Sequence, residues 1–251
     1  MEIKLIGIQG MPLVERGDDI PELIVRALDF SGQELMDGDI IVIAETIVSK
    51  AEGNTIDLNK ISPSEKALEM AEKTGKDPHL VEAILSESAD VIRVGHNFIV
   101  SETRHGFVCA NAGIDESNVS EGLATPLPAD PDLSAERILR GLTERSGREI
   151  AVIISDTQGR PFRVGAVGVA VGVAGMAPLW DRKGERDLYG RRLQTTEIAV
   201  ADEMAAAASM VMGQADEGVP AVIIRGYRWD HLKADGGIRD LLRPREMDVF
   251  R

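Results

Sequence analysis

Residues 90–118 read Asp90-Val-Ile-Arg-Val-Gly-His-Asn-Phe-Ile-Val-Ser-Glu-Thr-Arg-His-Gly-Phe-Val-Cys-Ala-Asn-Ala-Gly-Ile-Asp-Glu-Ser-Asn118, and their punctuation decides the kind of sheet this chain builds. Three short runs, 90–94, 97–102 and 107–110, are separated only by Gly95-His96 and by Arg104-His105-Gly106. Turns that short join antiparallel neighbours, so the stretch reads as a meander. His96 and His105 stand at its turns, spaced unlike a metal pair, and read as surface residues. The last run leads into Cys109-Ala-Asn-Ala-Gly-Ile-Asp-Glu-Ser-Asn118, which packs Asn111, Asp115, Glu116, Ser117 and Asn118 around Gly113. At a strand end the backbone has left the ladder, and polar side chains are free to face a ligand. Asp115 is a hard oxygen donor, and Asn118 both donates and accepts hydrogen bonds. The same residue types also close a turn that has no function. What separates the two readings lies elsewhere in the chain.

Toward the N-terminus, 2–8 reads as a strand and Gly10-Met11-Pro12-Leu13 as an apolar turn. Asp18-Asp19-Ile20-Pro21 starts a helix, with Ile20, Leu23, Ile24, Ala27 and Leu28 on one core-facing side. Asp37-Gly38 is a turn, and 39–44 is a β-branched strand buried on both faces. Glu45-Thr46 through Gly53 leaves that strand. Lys50 there either reaches a phosphate as a compact charge or is solvated. Ser62-Pro63-Ser64-Glu65 reads as a capping box, opening a helix that runs to about Thr74 and ends at Gly75. Asp77-Pro78 opens a second helix, with His79 exposed in its first turn.

Toward the C-terminus, 121–133 holds Pro126, Pro128 and Pro131. It reads as a loop and as the candidate internal boundary of an otherwise single unit over 1–251. A helix follows from Asp130-Pro131 to about Arg145, stopped by Gly147. The buried strand 149–155 then ends in Asp156-Thr157-Gln158-Gly159-Arg160-Pro161-Phe162-Arg163. This repeats the logic at Asp115: a carboxylate and a hydroxyl, Asp156 and Thr157, leave a strand beside a glycine and two arginines. Two such ends suit one magnesium or manganese cluster, and the arginines suit carboxylates or phosphates. The plain alternative has Asp156 capping a turn and the arginines in water.

Residues 165–175 alternate glycine with Ala and Val, as in a strand that bends or that another backbone approaches closely. Neither the spacing of a dinucleotide fingerprint nor a Walker A run occurs, which excludes Rossmann and P-loop readings. Trp180-Asp-Arg-Lys-Gly-Glu-Arg-Asp-Leu-Tyr-Gly-Arg-Arg192 is the densest cationic segment. Arg182, Lys183, Arg186, Arg191 and Arg192 suit an anionic substrate, and Trp180 and Tyr189 a flat ring; an exposed charged loop is the other reading. Residues 194–212 read as an Ala- and Met-rich helix, with Met204, Met210 and Met212 as core filler. The loop 213–220 offers backbone amides to a phosphate, 221–225 is a last buried strand, and 226–251 is a tail with two short helices.

The chain has 251 residues, a net charge of −14 and a single cysteine. That length buries a sizeable core. The charge repels phosphate backbones and anionic lipid, so neither nucleic acid nor a membrane is expected as partner. One cysteine excludes an intrachain disulfide and cysteine-built metal centres, and fits a reducing cytoplasm. No apolar run is long enough to span a bilayer.

Read together, Gly10-Met-Pro-Leu13, Glu45-Thr46 with 48–53, 111–118, Asp156-Thr-Gln-Gly-Arg160, Asp187-Leu-Tyr-Gly-Arg191 and 212–220 resemble the archaeal coenzyme F-420-0:γ-glutamyl ligases in order and spacing. The resemblance runs from residue 1 to about 226. It implies a mixed α+β fold with mixed or antiparallel sheets and flanking helices, assembled as a homodimer. It further implies a GTP-dependent ligation of L-glutamate onto F-420-0, with two Mg2+ or Mn2+ ions per site and K+ as a further ion. Carried over by position, Asp115, Asp156, Thr157 and Gln214 match metal ligands, although an amide at 214 replaces an acid. Met11, Pro12, Leu13, Glu45, Thr46, Lys50, Asn118, Gly213, Gln214, Ala215, Asp216, Glu217, Gly218, Val219 and Pro220 match nucleotide contacts. Lys50, Asp115 and Asp156 are the expected catalytic groups, and Arg160, Arg182, Arg186, Tyr189 and Arg191 the expected substrate contacts. Some relatives carry a fused flavin-binding domain; this chain has no room for one, so no flavin is expected. The alternatives are another metal-dependent phosphoryl-transfer enzyme or phosphohydrolase on the same scaffold, and a non-catalytic acidic interaction protein.

Overall fold

The computed structural model describes residues 2–232 and 236–249. Strand β1 (Lys4–Gly7) is followed by helix α1 (Ile20–Ser31), where the Asp19 carboxylate accepts from the Glu22 N–H and Gly32 closes the far end. Strand β2 (Ile40–Ala44) runs directly into helix α2 (Glu45–Glu52). This helix has no sequence signature. Its N-cap is Ala44, which offers no side-chain hydrogen bond, and so the stretch reads only as a segment leaving a strand. Strand β3 (Ile56–Asp57) precedes helices α3 (Glu65–Thr74) and α4 (Pro78–Glu87). The cap of α3 is Ser64 rather than Ser62. Glu82 of α4 accepts from the Ser64 N–H and hydroxyl at 2.8 and 2.6 Å, taking the part a capping-box glutamate plays within one helix.

The expected meander is present as β4 (Ser88–Gly95), β5 (Phe98–Thr103) and β6 (Val108–Ala110). Strand β7 (Leu123–Ala124) pairs antiparallel with β3, and α5 (Pro131–Ser146) follows. Strands β8 (Ala151–Arg160) and β9 (Arg163–Ala174) form a long hairpin. Short strands β10 (Trp180–Asp181) and β11 (Glu197–Ile198) pair with each other before α6 (Val200–Met212) and β12 (Ala221–Arg225). That pairing consumes 197–198, so α6 begins later than the expected 194. Met204 is core, but Met210 is 75 % exposed and is not filler.

The central sheet has the order β1-β12-β2-β8-β9, with β2 and β8 parallel and every other neighbour antiparallel. Ile40 through Ile43 and Val152 through Ile154 are fully buried, which explains their unbroken apolar runs. Helices α5 and α6 pack on β9 so closely that a Cβ at Gly172 would stand 2.5 Å from the Pro131 carbonyl oxygen, and one at Gly168 2.3 Å from that of Ala205. The alternating glycines of β9 serve this approach.

A smaller cluster, including Met70, Leu80, Val81, Ile84, Ile99 and Ala124, lies under α3, α4 and the meander. Residues 121–133 carry the chain from it to the main core. This crossing includes β7 and is tied down: the Ser49 hydroxyl donates to the Pro126 carbonyl at 2.8 Å and the Asn54 amide to that of Leu127 at 3.1 Å. The tail forms single 3-10 turns at Asp230–Leu232, Ile238–Leu241 and Arg245–Met247, and buries Trp229, Leu232 and Ile238 against its own core. Residues 233–235 and 250–251 of that tail lie outside the described residues. Among the described residues, no helix is long and apolar enough to cross a membrane.

Candidate active site

A cavity of about 980 Å3 opens where the parallel pair β2–β8 ends. The register makes this spot. Ala44 pairs with Ser155, so the residues that follow, Glu45 and Asp156, emerge side by side. The expected strand end at 156 is therefore corrected: β8 continues to Arg160 against β9, and only its pairing with β2 stops at Ser155. The polar run 156–160 belongs to a ribbon that has left the core. Strand β6 lies beside β8, and the single turn after it delivers Asp115 to the same cavity.

Three carboxylates meet there. Glu45 is 3 % exposed; its Oε1 accepts from the Thr46 hydroxyl at 2.8 Å, while its Oε2 is buried with no partner among the described residues. Burial first, then the charge of Asp156 and, more weakly, that of Asp115, hold its pKa well above the usual carboxylate range. Asp156 is also raised, by burial and then Asp115, against hydrogen bonds from the Gln158 amide at 2.9 Å and the Thr157 N–H at 2.6 Å. Asp115 accepts from the Ser117 N–H and hydroxyl at 2.8 and 2.5 Å, and its backbone is paired with Thr125 in both directions. Lys50, on α2, donates to the Asn118 carbonyl at 3.1 Å. Burial pushes the neighbouring Cys109 thiol up to about 12, so it is no nucleophile.

The backbone around Asp115 is strained. Asn111 and Ala112 are left-handed at φ 55°, Gly113 at 69° and Asn118 at 53°. Each such non-glycine residue costs on the order of 1 kcal/mol or more, and persists only where the surroundings impose it. Here they do: Ala112 and Ile114 are anchored in the smaller cluster. The Asn111 Oδ1 is left buried at the cavity wall without a partner among the described residues.

The residues present fit a divalent cation. Carboxylates drawn to one wall, one of them with a buried oxygen that has no partner among the described residues, raise one another's pKa, and a divalent cation would relieve that repulsion. Asp115, Asp156, the Thr157 hydroxyl and the Gln214 amide supply hard oxygen donors on this wall. Among the described residues, no three of His, Cys, Asp and Glu are drawn close enough to enclose an ion by themselves.

The cavity brings together Met11, Pro12, Leu13, Glu45, Thr46, Lys50, Asp115, Asn118, Asp156, Thr157, Gly213, Gln214, Ala215, Glu217, Gly218, Val219 and Pro220. Asp216 does not line it, nor do Arg160, Arg182, Arg186, Tyr189 and Arg191. The basic segment is an exposed arm, and several of its charges are engaged locally. Arg182 pairs with Glu185 at 2.6 Å and lies over the Trp180 ring, and Arg186 donates to the Gly190 carbonyl. Arg160 donates to the Val164 and Gly165 carbonyls across its own hairpin. The sequence reading missed Arg16 and Gln158. The first was legible only as a cation close behind Met11–Leu13, the second only once β8 is known to continue.

Residues 8–226 match the family described as F420-0:Gamma-glutamyl ligase. Among curated relatives, the coenzyme F420:L-glutamate ligase of Methanothermobacter thermautotrophicus is 76 % identical over 251 residues, all of both chains. The protein of the same name from Methanocaldococcus jannaschii is 53 % identical over 252 residues, covering 100 % of this chain and 97 % of that one. That from Archaeoglobus fulgidus is 42 % identical, with 100 % and 97 % covered. The chain belongs to the F420-0:gamma-glutamyl ligase family.

Proposed function

We propose that the protein is a GTP-dependent ligase that joins L-glutamate by γ-linkage to coenzyme F-420-0, forming F-420-1 and then F-420-2. The observation that carries the reading is the meeting of Glu45, Asp115 and Asp156 with Lys50 in one cavity, in a family whose relatives are named for this ligation. A carboxylate does not condense with an amine at neutral pH until it is activated. The γ-phosphoryl of GTP is transferred to the terminal carboxylate of the coenzyme, giving an acyl phosphate and GDP. The glutamate amine attacks that carbonyl, the amide forms, phosphate leaves, and the amine gives up a proton.

In this scheme Asp115, Asp156, Thr157 and Gln214 hold two Mg2+ or Mn2+ ions, which supply charge neutralisation to the phosphate oxygens when bound. Lys50 places a point charge on the same oxygens. Met11–Leu13 form the apolar wall against the nucleotide, and the 213–220 loop presents backbone N–H groups to phosphate, with K+ as a further ion. Arg160, Arg182, Arg186, Tyr189 and Arg191 do not line the cavity of their own chain, so any role with the coenzyme or glutamate needs a homodimer that brings the arm to a partner. The exposed tips at Val164, Leu188 and Tyr189 support that assembly.

Mass spectrometry of F-420-0 incubated with the protein, GTP, Mn2+ and glutamate tests the proposal. Gains of one and then two glutamyl masses, accompanied by GDP, are expected. GTP turnover without glutamate addition would reject the ligase in favour of a phosphohydrolase.

A further inference from the structure

The cavity that ends β2–β8 is lined by five acids, Glu15, Glu45, Asp115, Asp156 and Glu217, and by two cations, Lys50 and Arg16. Lys50 already donates to the Asn118 carbonyl. Arg16 has no hydrogen bond or ion pair among the described residues, in a chain with 42 acids against 28 Lys and Arg. Its backbone is nevertheless firmly placed. The Glu15 N–H donates to the Asp18 carboxylate at 2.8 Å and the Asp18 N–H to the Glu15 carbonyl, around Gly17 at φ 91°. The Gly17 N–H then docks this turn on the Ala51 carbonyl of α2 at 2.8 Å. The arginine stem lies across Gly53, where a Cβ would stand 2.6 Å from the Arg16 Nε. Turn, dock and missing side chain hold a guanidinium at the wall, and none of the three uses its charge.

We propose that Arg16 is a phosphate-binding residue of this cavity, the second cationic contact beside Lys50. This rests on the ligase reading of the site. Helix α2 has Glu45 at its start and Gly53 just past its end, about 12 Å apart at 1.5 Å per residue. The Arg16 guanidinium, lying at the Gly53 end, is therefore about a helix length from Glu45, and the phosphate it would hold is taken to be other than the transferred phosphoryl group. It is a non-reacting phosphate of the nucleotide or the phosphodiester of the deazaflavin coenzyme, either of which a guanidinium fork grips bidentately.

Arg16→Ala and Arg16→Lys test this in the full chain, by calorimetric titration of GTP with Mn2+, by KM for GTP, coenzyme and glutamate separately, and by melting temperature. Loss of a charge-assisted contact is expected to raise one constant about tenfold or more in Arg16→Ala, with partial recovery in Arg16→Lys. A rise for GTP assigns the nucleotide phosphate, and a rise for the coenzyme alone assigns the phosphodiester. All constants within twofold of wild type overturn the inference. So do a rise confined to glutamate, or an equal rise for all three with a lowered melting temperature, which is a structural role. Wild-type protein that binds no GTP and adds no glutamate removes the ligase reading and this inference with it; normal wild-type behaviour matched by Arg16→Ala removes the inference alone.

Discussion

Glu45 is the residue the fold treats least kindly. It is buried at the start of α2, beside Asp156, with one oxygen unpaired and no ion pair among the described residues. Its folded pKa lies above the ordinary value of 4.5. A raised carboxylate pKa contributes stability below the unfolded value, and that contribution is lost as pH rises through the folded one. Metal-free wild-type protein should therefore lose melting temperature on going from about pH 4.5 toward neutrality. Glu45→Gln, isosteric and unable to ionise, should lose less over the same range, although Asp156, Asp132 and Asp202, raised in the same sense, remain in both proteins. Thermal melts in chelator across that range decide it, and parallel curves for the two proteins would contradict the account. Asp115, Asp156 and Lys50 were legible in the sequence because hard donors and a lone lysine leave apolar runs beside glycines. The strain at Asn111 and Ala112 was not, because it depends on how Ile114 and Thr125 are anchored far along the chain.

At the level of elements, helices with side-chain caps could be read and the helix without one could not. Asp19, Asp77 and Asp130 each accept from the first turn they cap, and α1, α4 and α5 fall where the sequence puts them. Ala44 caps nothing, and α2, which carries both Glu45 and Lys50, was read as a strand exit. Strand β8 was cut short at Ser155 because its outer half lies in a two-stranded ribbon where polar residues replace the apolar run. The glycines of β9 read as bends or as close approach; the packing decides for close approach and supplies the partners, α5 and α6. Gly172→Val tests that contact. Overpacking against the Pro131 backbone should cost roughly 1–3 kcal/mol or more in urea unfolding, whereas a change near zero would mean that α5 is free to withdraw.

For the whole molecule, two long exposed features stand apart from the compact core: the β8–β9 hairpin tip and the 180–192 arm. Phe162, Val164, Leu188 and Tyr189 are nearly fully exposed there. The exposed Val164, Leu188 and Tyr189, on a chain of net charge −14, suit a partner surface, which a second copy would supply in the proposed homodimer. Sedimentation should find a dimer for wild type and a shift toward monomer for Leu188→Glu combined with Phe162→Glu; an unchanged dimer would place the interface elsewhere. The central claim is that one cavity, built by the register of β2 against β8, gathers carboxylates to hold a divalent cation beside a nucleotide. Mn2+ binding followed by electron paramagnetic resonance, with and without GTP, tests it most directly. Wild type should bind Mn2+, more tightly with GTP, and folded Asp115→Ala and Asp156→Ala should each lose most of that binding. Equal binding in all three proteins would contradict the claim.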